Sequence, residues 1–333
     1  MPQPTPRQVH VDRFLTNLSV SFAQSRSAFV ADQVFPIVPV QKQSDLYAVY
    51  PRGFFNRDQM RVRPLGGRAQ VAGYEVAQQQ YRAEEWALAH PIDDRVRANA
   101  DQPLDPDRAA MRFLTSQCLI RRDRLWGSSY FTTGKWSTDL TGVAADPDAT
   151  EFLQLDQSGS APIRLFKEKK AAVRGDTGLT PNTLVLGSQA FLELTEHDDV
   201  LDRIEHTSRQ VVTRDILASL IFDDDPSGRV IVAGGIVNSA VEGADDDHDY
   251  ILGSKDALLV YRNPEPRPTI EEVSGGYTFA WTGLLPGETN AFGGVIERMR
   301  DDQAHSDHIE IRAAFDLGMV AADLGVFFDA LVP

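Results

Sequence analysis

The chain has 333 residues, 48 of them acidic and 33 basic, giving a formal net charge of −15 at pH 7. With 42% hydrophobic and 24% charged residues it has an ordinary globular composition, which excludes disorder and collagen-like repeats, and its length suggests two lobes or one elaborated fold. No run approaches the roughly 20 apolar residues of a membrane-spanning helix, the start Met1-Pro2-Gln3-Pro4-Thr5-Pro6-Arg7 lacks an apolar signal core, and a single cysteine, Cys118, excludes a disulfide framework and a cysteine-based zinc site.

These features predict a protein made and kept in the cytosol. The charge is divided unevenly: residues 1–135 carry 18 basic and 13 acidic side chains, residues 136–333 carry 15 and 35. Opposite fields on one chain suit head-to-tail association of copies; two lobes with differently solvated faces would give the same split. Only six of the basic residues are lysine, and an arginine-dominated set favours bidentate pairing with carboxylates.

Residues 1–26 hold three early prolines and a weak apolar pattern, Phe14, Leu15, Leu18 and Phe22, fitting a short helix or an arm lying on a neighbour. In Ala31-Asp32-Gln33-Val34-Phe35-Pro36-Ile37-Val38-Pro39-Val40 two prolines three apart oppose helix, and the segment reads as an extended strap rather than a core strand. From Tyr47 to about Ala89 the pattern is a long hairpin. Leu46–Tyr50 and Tyr74–Arg82 are strand-like, and the stretch between is rich in Gly and Arg with few aliphatics. Its tip carries Arg52, Arg57, Arg61, Arg63 and Arg68 against one acid, Asp58, so it needs something to lie on.

Asp105-Pro106-Asp107 opens the clearest helix, with Asp105 as N-cap, proline at the first helical position and an acid in the first turn. Met111, Leu114, Cys118 and Leu125 line one stripe as far as Trp126. A basic helix is expected at about Pro162 to Arg174. Beyond Pro181 the texture alternates: strand Thr183–Leu186, a helix capped by Ser188 to about Leu194, helical Val200–Ile204 and Val211–Ile221, then strands at 230–233, 257–261 and 277–281. This predicts a compact α/β lobe over about 181–300. Ile309, Ile311, Ala313, Phe315 and Leu317 alternate with period two, a long strand with one face buried, and Ala321–Val332 adds another.

Candidate chemistry is sparse. Asp223-Asp224-Asp225 and Asp245-Asp246-Asp247-His248-Asp249 cluster carboxylates of the kind hard cations prefer, but lack EF-hand spacing and read as solvated loop tips. Gly234-Gly235 and Gly275-Gly276 match no phosphate-loop pattern and read as turns. No GxSxG elbow or HExxH pair occurs, Cys118 reads as a core residue, and His305 and His308 read as a solvated junction. The basic hairpin fits protein carboxylates better than DNA on a chain of this net charge. No catalytic residue, metal or cofactor is assigned, and the outward-pointing oddities predict an assembly subunit rather than an enzyme.

The segments together resemble the tailed-phage major capsid proteins of the HK97 fold. The resemblance is carried by the strap at 31–40, Tyr47-Ala48-Val49-Tyr50, and the run Arg97–Asp105 leading into the long helix. Further on it is carried by Pro181-Asn182-Thr183-Leu184-Val185-Leu186-Gly187, His197–Ile204 and Ala321-Ala322-Asp323-Leu324-Gly325. It implies an α+β fold with an N-terminal arm (1–44), an extended loop (45–92), a peripheral domain (93–180 and 304–333) with a spine helix at about 105–126, and an axial domain (181–303). It also implies a subunit interface through Arg52, Arg57, Arg61, Arg63, Arg68, Phe35, Pro36 and Pro39. The implied role is a self-assembling shell of hexamers and pentamers around a double-stranded DNA genome, in a virion assembled in the host cytoplasm, without a membrane. The implied partners are further copies of the chain, a portal, a decoration or cement protein, and a separate scaffolding protein or none, because the strap begins within about thirty residues of Met1. The hairpin tip has no Lys, which departs from members that crosslink Lys to Asn and implies non-covalent cohesion. An encapsulin shell around cargo enzymes is the alternative within the fold; a metal-dependent hydrolase using the Asp runs is the alternative of another class.

Overall fold

The structure, a computed structural model, describes residues 24–100, 104–204, 211–264, 273–284 and 294–333. The expected pattern Phe14, Leu15, Leu18, Phe22 lies outside the described residues. In chain order the strands are β1 (Ile37–Val40), β2 (Ser44–Val49), β3 (Ala77–Arg82), β4 (Glu84–Asp93), β5 (Thr138–Val143), β6 (Glu151–Leu153), β7 (Thr183–Leu186), β8 (Arg229–Val232), β9 (Ile236–Asn238), β10 (His248–Tyr250), β11 (Ala257–Val260), β12 (Gly276–Trp281), β13 (Gly294–Asp301), β14 (Ser306–Met319) and β15 (Gly325–Asp329). The α-helices are α1 (Ala31–Val34), α2 (Arg52–Phe55), α3 (Asp94–Ala98), α4 (Pro106–Tyr130), α5 (Pro162–Thr177), α6 (Ser188–Glu196), α7 (Asp198–Ile204) and α8 (Arg214–Ile221).

Two sheets carry the core. The six-stranded sheet runs β6-β5-β15-β11-β7-β8. Its central strands β7 and β11 are buried at every residue, which is why Thr183–Leu186 and Ala257–Val260 read as continuous apolar runs. Alternation sends Leu184, Leu186, Leu259 and Phe328 into one cluster with Phe166 of α5, Leu194 of α6 and Leu217 of α8. Val185, Leu258 and Phe327 face the other way, against Trp126 of α4 and Phe35. The sheet is thus covered on both faces.

In the second sheet β14 is the hub: it pairs with β12, β13 and β4, all antiparallel. Helix α4 lies on this sheet through Ala110 and Leu114, which meet Ile92, Ile309 and Ile311. The Asp105 side chain accepts the Arg108 backbone N–H at 3.1 Å, as the N-cap expectation requires. The helix runs four residues beyond the expected end, to Tyr130, and its buried face differs from the expected stripe. Met111 is exposed, whereas Arg122 and Asp123 are buried.

Several sequence expectations are corrected. The strap is neither wholly extended nor peripheral. Residues 31–34 form a helical turn, and Ile37–Val40 pairs in parallel with β12 as an edge strand of the second sheet. Pro39 fits there because Pro36 O and Val40 O accept from Thr278 and Thr282 at 3.0 and 2.9 Å, so the residue between turns its missing N–H toward the open edge. The long hairpin expected from Tyr47 to about Ala89 pairs its strands only as far as Arg82. β4 belongs to the second sheet, pairing with β14 over ten residues. The strands β5, β6 and β15 complete the six-stranded sheet, while β12 and β13 join β14. Gly187, not Ser188, stands at the N-cap of α6, and Ser188 is the first helical residue.

Candidate functional site

The feature without a core of its own is the β2–β3 hairpin. Its two strands pair antiparallel with Tyr47 opposite Gln79, and the Tyr47 hydroxyl donates to Gln79 Oε1 at 2.6 Å. The base is anchored on the second sheet. Tyr81 stacks on Phe279 with ring centroids 4.8 Å apart, and Tyr47 meets the same ring at 5.4 Å. Val38 and Tyr277 complete the cluster. Backbone bonds pin the exit: Ala83 N–H donates to Gln43 O at 2.8 Å, and Arg82 N–H to Asp316 at 2.8 Å. Burial pushes the Tyr47 hydroxyl up to about 12 and raises the Asp316 carboxyl.

Beyond this anchor the hairpin projects. Helix α2 brings Phe55 within 5.8 Å of Tyr50 and 5.7 Å of Tyr74, a three-ring cluster above the strand pair. Further out a turn at Pro64–Gly67 closes with Gly67 N–H on Pro64 O at 3.0 Å. Gly66 has φ +74°, a conformation a side chain would strain, and Arg63 Nε donates to Gly67 O at 2.6 Å. The outer segment presents apolar side chains to solvent: Met60 is 89% exposed, Val62 96%, Val71 93% and Leu65 completely. These four side chains are large and apolar and are spread along the tip between Arg, Pro and Gly. Sequence reasoning noticed the arginines and missed this row, because single aliphatics among Arg and Gly produce no periodicity.

The expected interface residues separate into two groups. Arg57, Arg61, Arg63 and Arg68 lie on the exposed tip and form no ion pair with described residues. Arg52 instead meets Asp323 of its own chain at 3.1 Å. Phe35 and Pro36 are buried, and Phe35 packs on Trp126 at 5.9 Å and Tyr130 at 5.0 Å. Phe35 therefore has no free surface and is an intramolecular core residue; Gly276 leaves room for its ring, since a Cβ there would overlap it. Pro39 is exposed.

Two buried charges on α4 hold the strap. Asp123 accepts the backbone N–H groups of Val30 at 2.9 Å and Ala31 at 2.8 Å, capping α1 from across the fold, and Arg122 pairs with Asp32. Burial pushes the Asp123 carboxyl up to about 6. A second polar cluster ties α3 and α4 to the second sheet: Asp307 accepts from Arg97 at 2.6 Å and from Arg298 and Arg300 at 3.0 and 3.2 Å. These guanidinium groups, Arg298 foremost, hold its carboxyl well below the usual range. The residue between His305 and His308 is therefore a buried ion-pair centre rather than part of a solvated junction.

The chemical candidates resolve into structural roles. Asp223 receives Lys167 at 2.7 Å, and Asp224 pairs with the buried Lys170, so the first acidic run is a partner for α5. Asp246 and Asp247 accept from Asn238 and Ser239 across the β9–β10 hairpin at 2.7 and 2.9 Å. Ser160 Oγ lies 2.6 Å from His197 Nε2, but His197 Nδ1 accepts the Asp199 N–H at 3.0 Å. A neutral His197 then carries its proton on Nε2 and donates to the serine, the reverse of nucleophile activation. Cys118 is half-buried against the cluster of Ile92, Leu114, Ile309 and Ile311, and burial pushes its thiol up, away from the reactive thiolate.

No protein-family model matches the sequence. The chain is 26% identical over 295 residues to a major capsid protein of Burkholderia phage BcepMu, covering 87% of this chain and 90% of that one. The crystal structure of a phage-related protein from Bordetella bronchiseptica superposes with a TM-score of 0.68 at 19% identity, covering 93% of this chain and 95% of that one. The capsid of cyanophage P-SCSP1u gives 0.56 at 9% identity, covering 97% and 93%. An encapsulin complex from Synechococcus elongatus gives 0.55 at 12% identity, covering 96% and 95%. The two-sheet arrangement with its long helix and projecting hairpin is therefore the HK97-like capsid fold, and the chain is related along most of its length to a phage major capsid protein.

Proposed function

We propose that the protein is the major structural subunit of a tailed-phage capsid, assembling by non-covalent contacts into hexamers and pentamers that close into an icosahedral shell around double-stranded DNA. The observation that carries this reading is the hairpin: a chain with two well-packed sheets leaves one anchored arm with exposed apolar side chains and four arginines that have no ion-pair partner among the described residues. On a lone subunit that surface is a liability; laid over a neighbour it becomes an interface. The acidic half of the chain supplies carboxylates for the arginines. The domain scheme of an arm, a hairpin, a helix-backed sheet and an α/β sheet belongs to the same reading, as do a virion location, assembly in the host cytoplasm, a portal, a scaffolding protein and a decoration protein. The role is structural rather than catalytic.

Negative-stain microscopy with size-exclusion chromatography of the purified protein tests the proposal. Closed shells or five- and six-fold capsomers are expected, and charge reversal of Arg57, Arg61 and Arg63 together should abolish them while leaving a folded monomer. A wild type that remains monomeric at high concentration, with and without phage scaffolding protein, would overturn it. Encapsulins share the fold, but the sequence relationship is to a phage protein; particles filled with protein cargo instead of nucleic acid would favour the encapsulin reading.

A further inference from the structure

A cavity of about 210 Å³ is lined by Asn182, Thr183, Ser227, Arg229, Arg262 and Pro264, at one end of β7, β8 and β11. It belongs neither to the hairpin nor to the strap anchor. Its two arginines, each half-buried, differ from the buried cations of the fold. Among the described residues neither is paired with a carboxylate, whereas the buried Arg122 and Lys170 each have one. Arg229 reaches only neutral oxygens, Gln33 O and Thr183 Oγ1, and the buried Nε of Arg262 has no partner. Burial pushes Arg229 down to about 10, with the charge of Arg262 adding to the effect, and lowers Arg262 as well. Two like charges partly withdrawn from water, with no carboxylate paired to them among the described residues, are costly, and the buried Nε of Arg262 calls for a cause.

The pair is also held in place. Asn182, itself 2% exposed, accepts the Arg262 N–H on Oδ1 at 3.0 Å and donates from Nδ2 to Arg262 O at 2.8 Å. Its carbonyl accepts the Arg229 backbone N–H at 2.9 Å, so one residue fixes the backbone of both arginines where they border the cavity. The remaining Asn182 bonds, to Ser227 and Thr183, keep the amide from turning. A guanidinium fork matches the oxygens of a phosphate group. The net charge of −15 repels anions from the molecule at large, so retention here requires a local site.

We propose that Arg229 and Arg262, positioned by Asn182, form a binding site for a phosphate-type oxyanion, either free phosphate or the backbone of a nucleic acid. The proposal does not depend on the shell reading. Thermal unfolding of the intact protein in increasing inorganic phosphate, with sodium chloride matched in ionic strength, tests it. A saturable rise in Tm is expected, with the affinity falling about tenfold or more in Arg262→Gln, partly retained in Arg262→Lys, and unchanged in the hairpin variant Arg57→Gln. No response of the wild type beyond that of chloride, or equal responses of wild type and R262Q, would overturn the proposal. A short DNA duplex then distinguishes the sources: duplex binding weakened by R262Q and displaced by phosphate identifies the nucleic-acid backbone, while duplex binding indifferent to R262Q identifies the free ion.

Discussion

The six-stranded sheet and the β2–β3 hairpin use apolar side chains in opposite ways. In the sheet, β7 and β11 bury every residue, and all but Thr183 enter one of two apolar clusters. In the hairpin only the base is buried, where Tyr81 and Tyr47 sit on Phe279, and the outer half holds Met60, Val62, Leu65 and Val71 in water. Burial in the first region is completed by folding; in the second, the proposed reading assigns it to association. The energetics of folding and of assembly should therefore be separable by mutation, and the sharpest tests set one region against the other.

The largest loss of stability is expected from Phe35→Ala, which empties a fully buried ring site between Trp126 and Tyr130. About 3–5 kcal/mol should be lost in urea unfolding of the unassembled protein. A loss below about 1 kcal/mol, paired with failure to assemble, would return Phe35 to the subunit interface.

A pH comparison of the wild type with Asp123→Asn comes next. Because burial raises the Asp123 carboxyl from 3.8 to about 6, its contribution to stability is complete below 3.8 and is lost as the pH rises through 6. The advantage of wild type over the variant should decline by on the order of 3 kcal/mol between pH 3.5 and 7. Asp307 acts with the opposite sign. Its lowered pKa stabilises the fold above the ordinary carboxylate range, and that contribution is lost as the pH falls below it, so Asp307→Asn should flatten the acid limb that Asp123→Asn leaves intact. A rising difference for Asp123 would show that its hydrogen bonds outweigh its burial.

Asp123→Ala removes the acceptor for the Val30 and Ala31 N–H groups. It should cost about 1–3 kcal/mol and speed proteolytic cleavage around the strap, while the six-stranded sheet keeps its protection from hydrogen exchange. The smallest effect on folding belongs to the hairpin: Val62, Leu65 and Val71 changed together to Ser should each shift stability by no more than about 0.5 kcal/mol. The same variant should lose shells in negative stain. A folded triple variant that still assembles would remove the apolar row from the interface.

What the amino-acid sequence determined by itself was much of what is governed by neighbours a few residues away. Asp105-Pro106 started the long helix because a carboxylate and a missing N–H suit its first turn. The β7 and β11 runs, and the alternation along β14, declared their strands through burial on two faces or on one. The Gly- and Arg-rich stretch declared a hairpin tip that could not fold alone. Only the tertiary structure decided that Phe35 is core, that β4 leaves the hairpin for the second sheet, and that β15 crosses into the first. It alone placed Asp123 over an N–H group 93 residues away and set Asn182 to hold Arg262 across 80. Caps and periodicity act within one or two turns of chain, whereas whether a charge or a ring is buried depends on which distant segment arrives to cover it, and no local pattern records that.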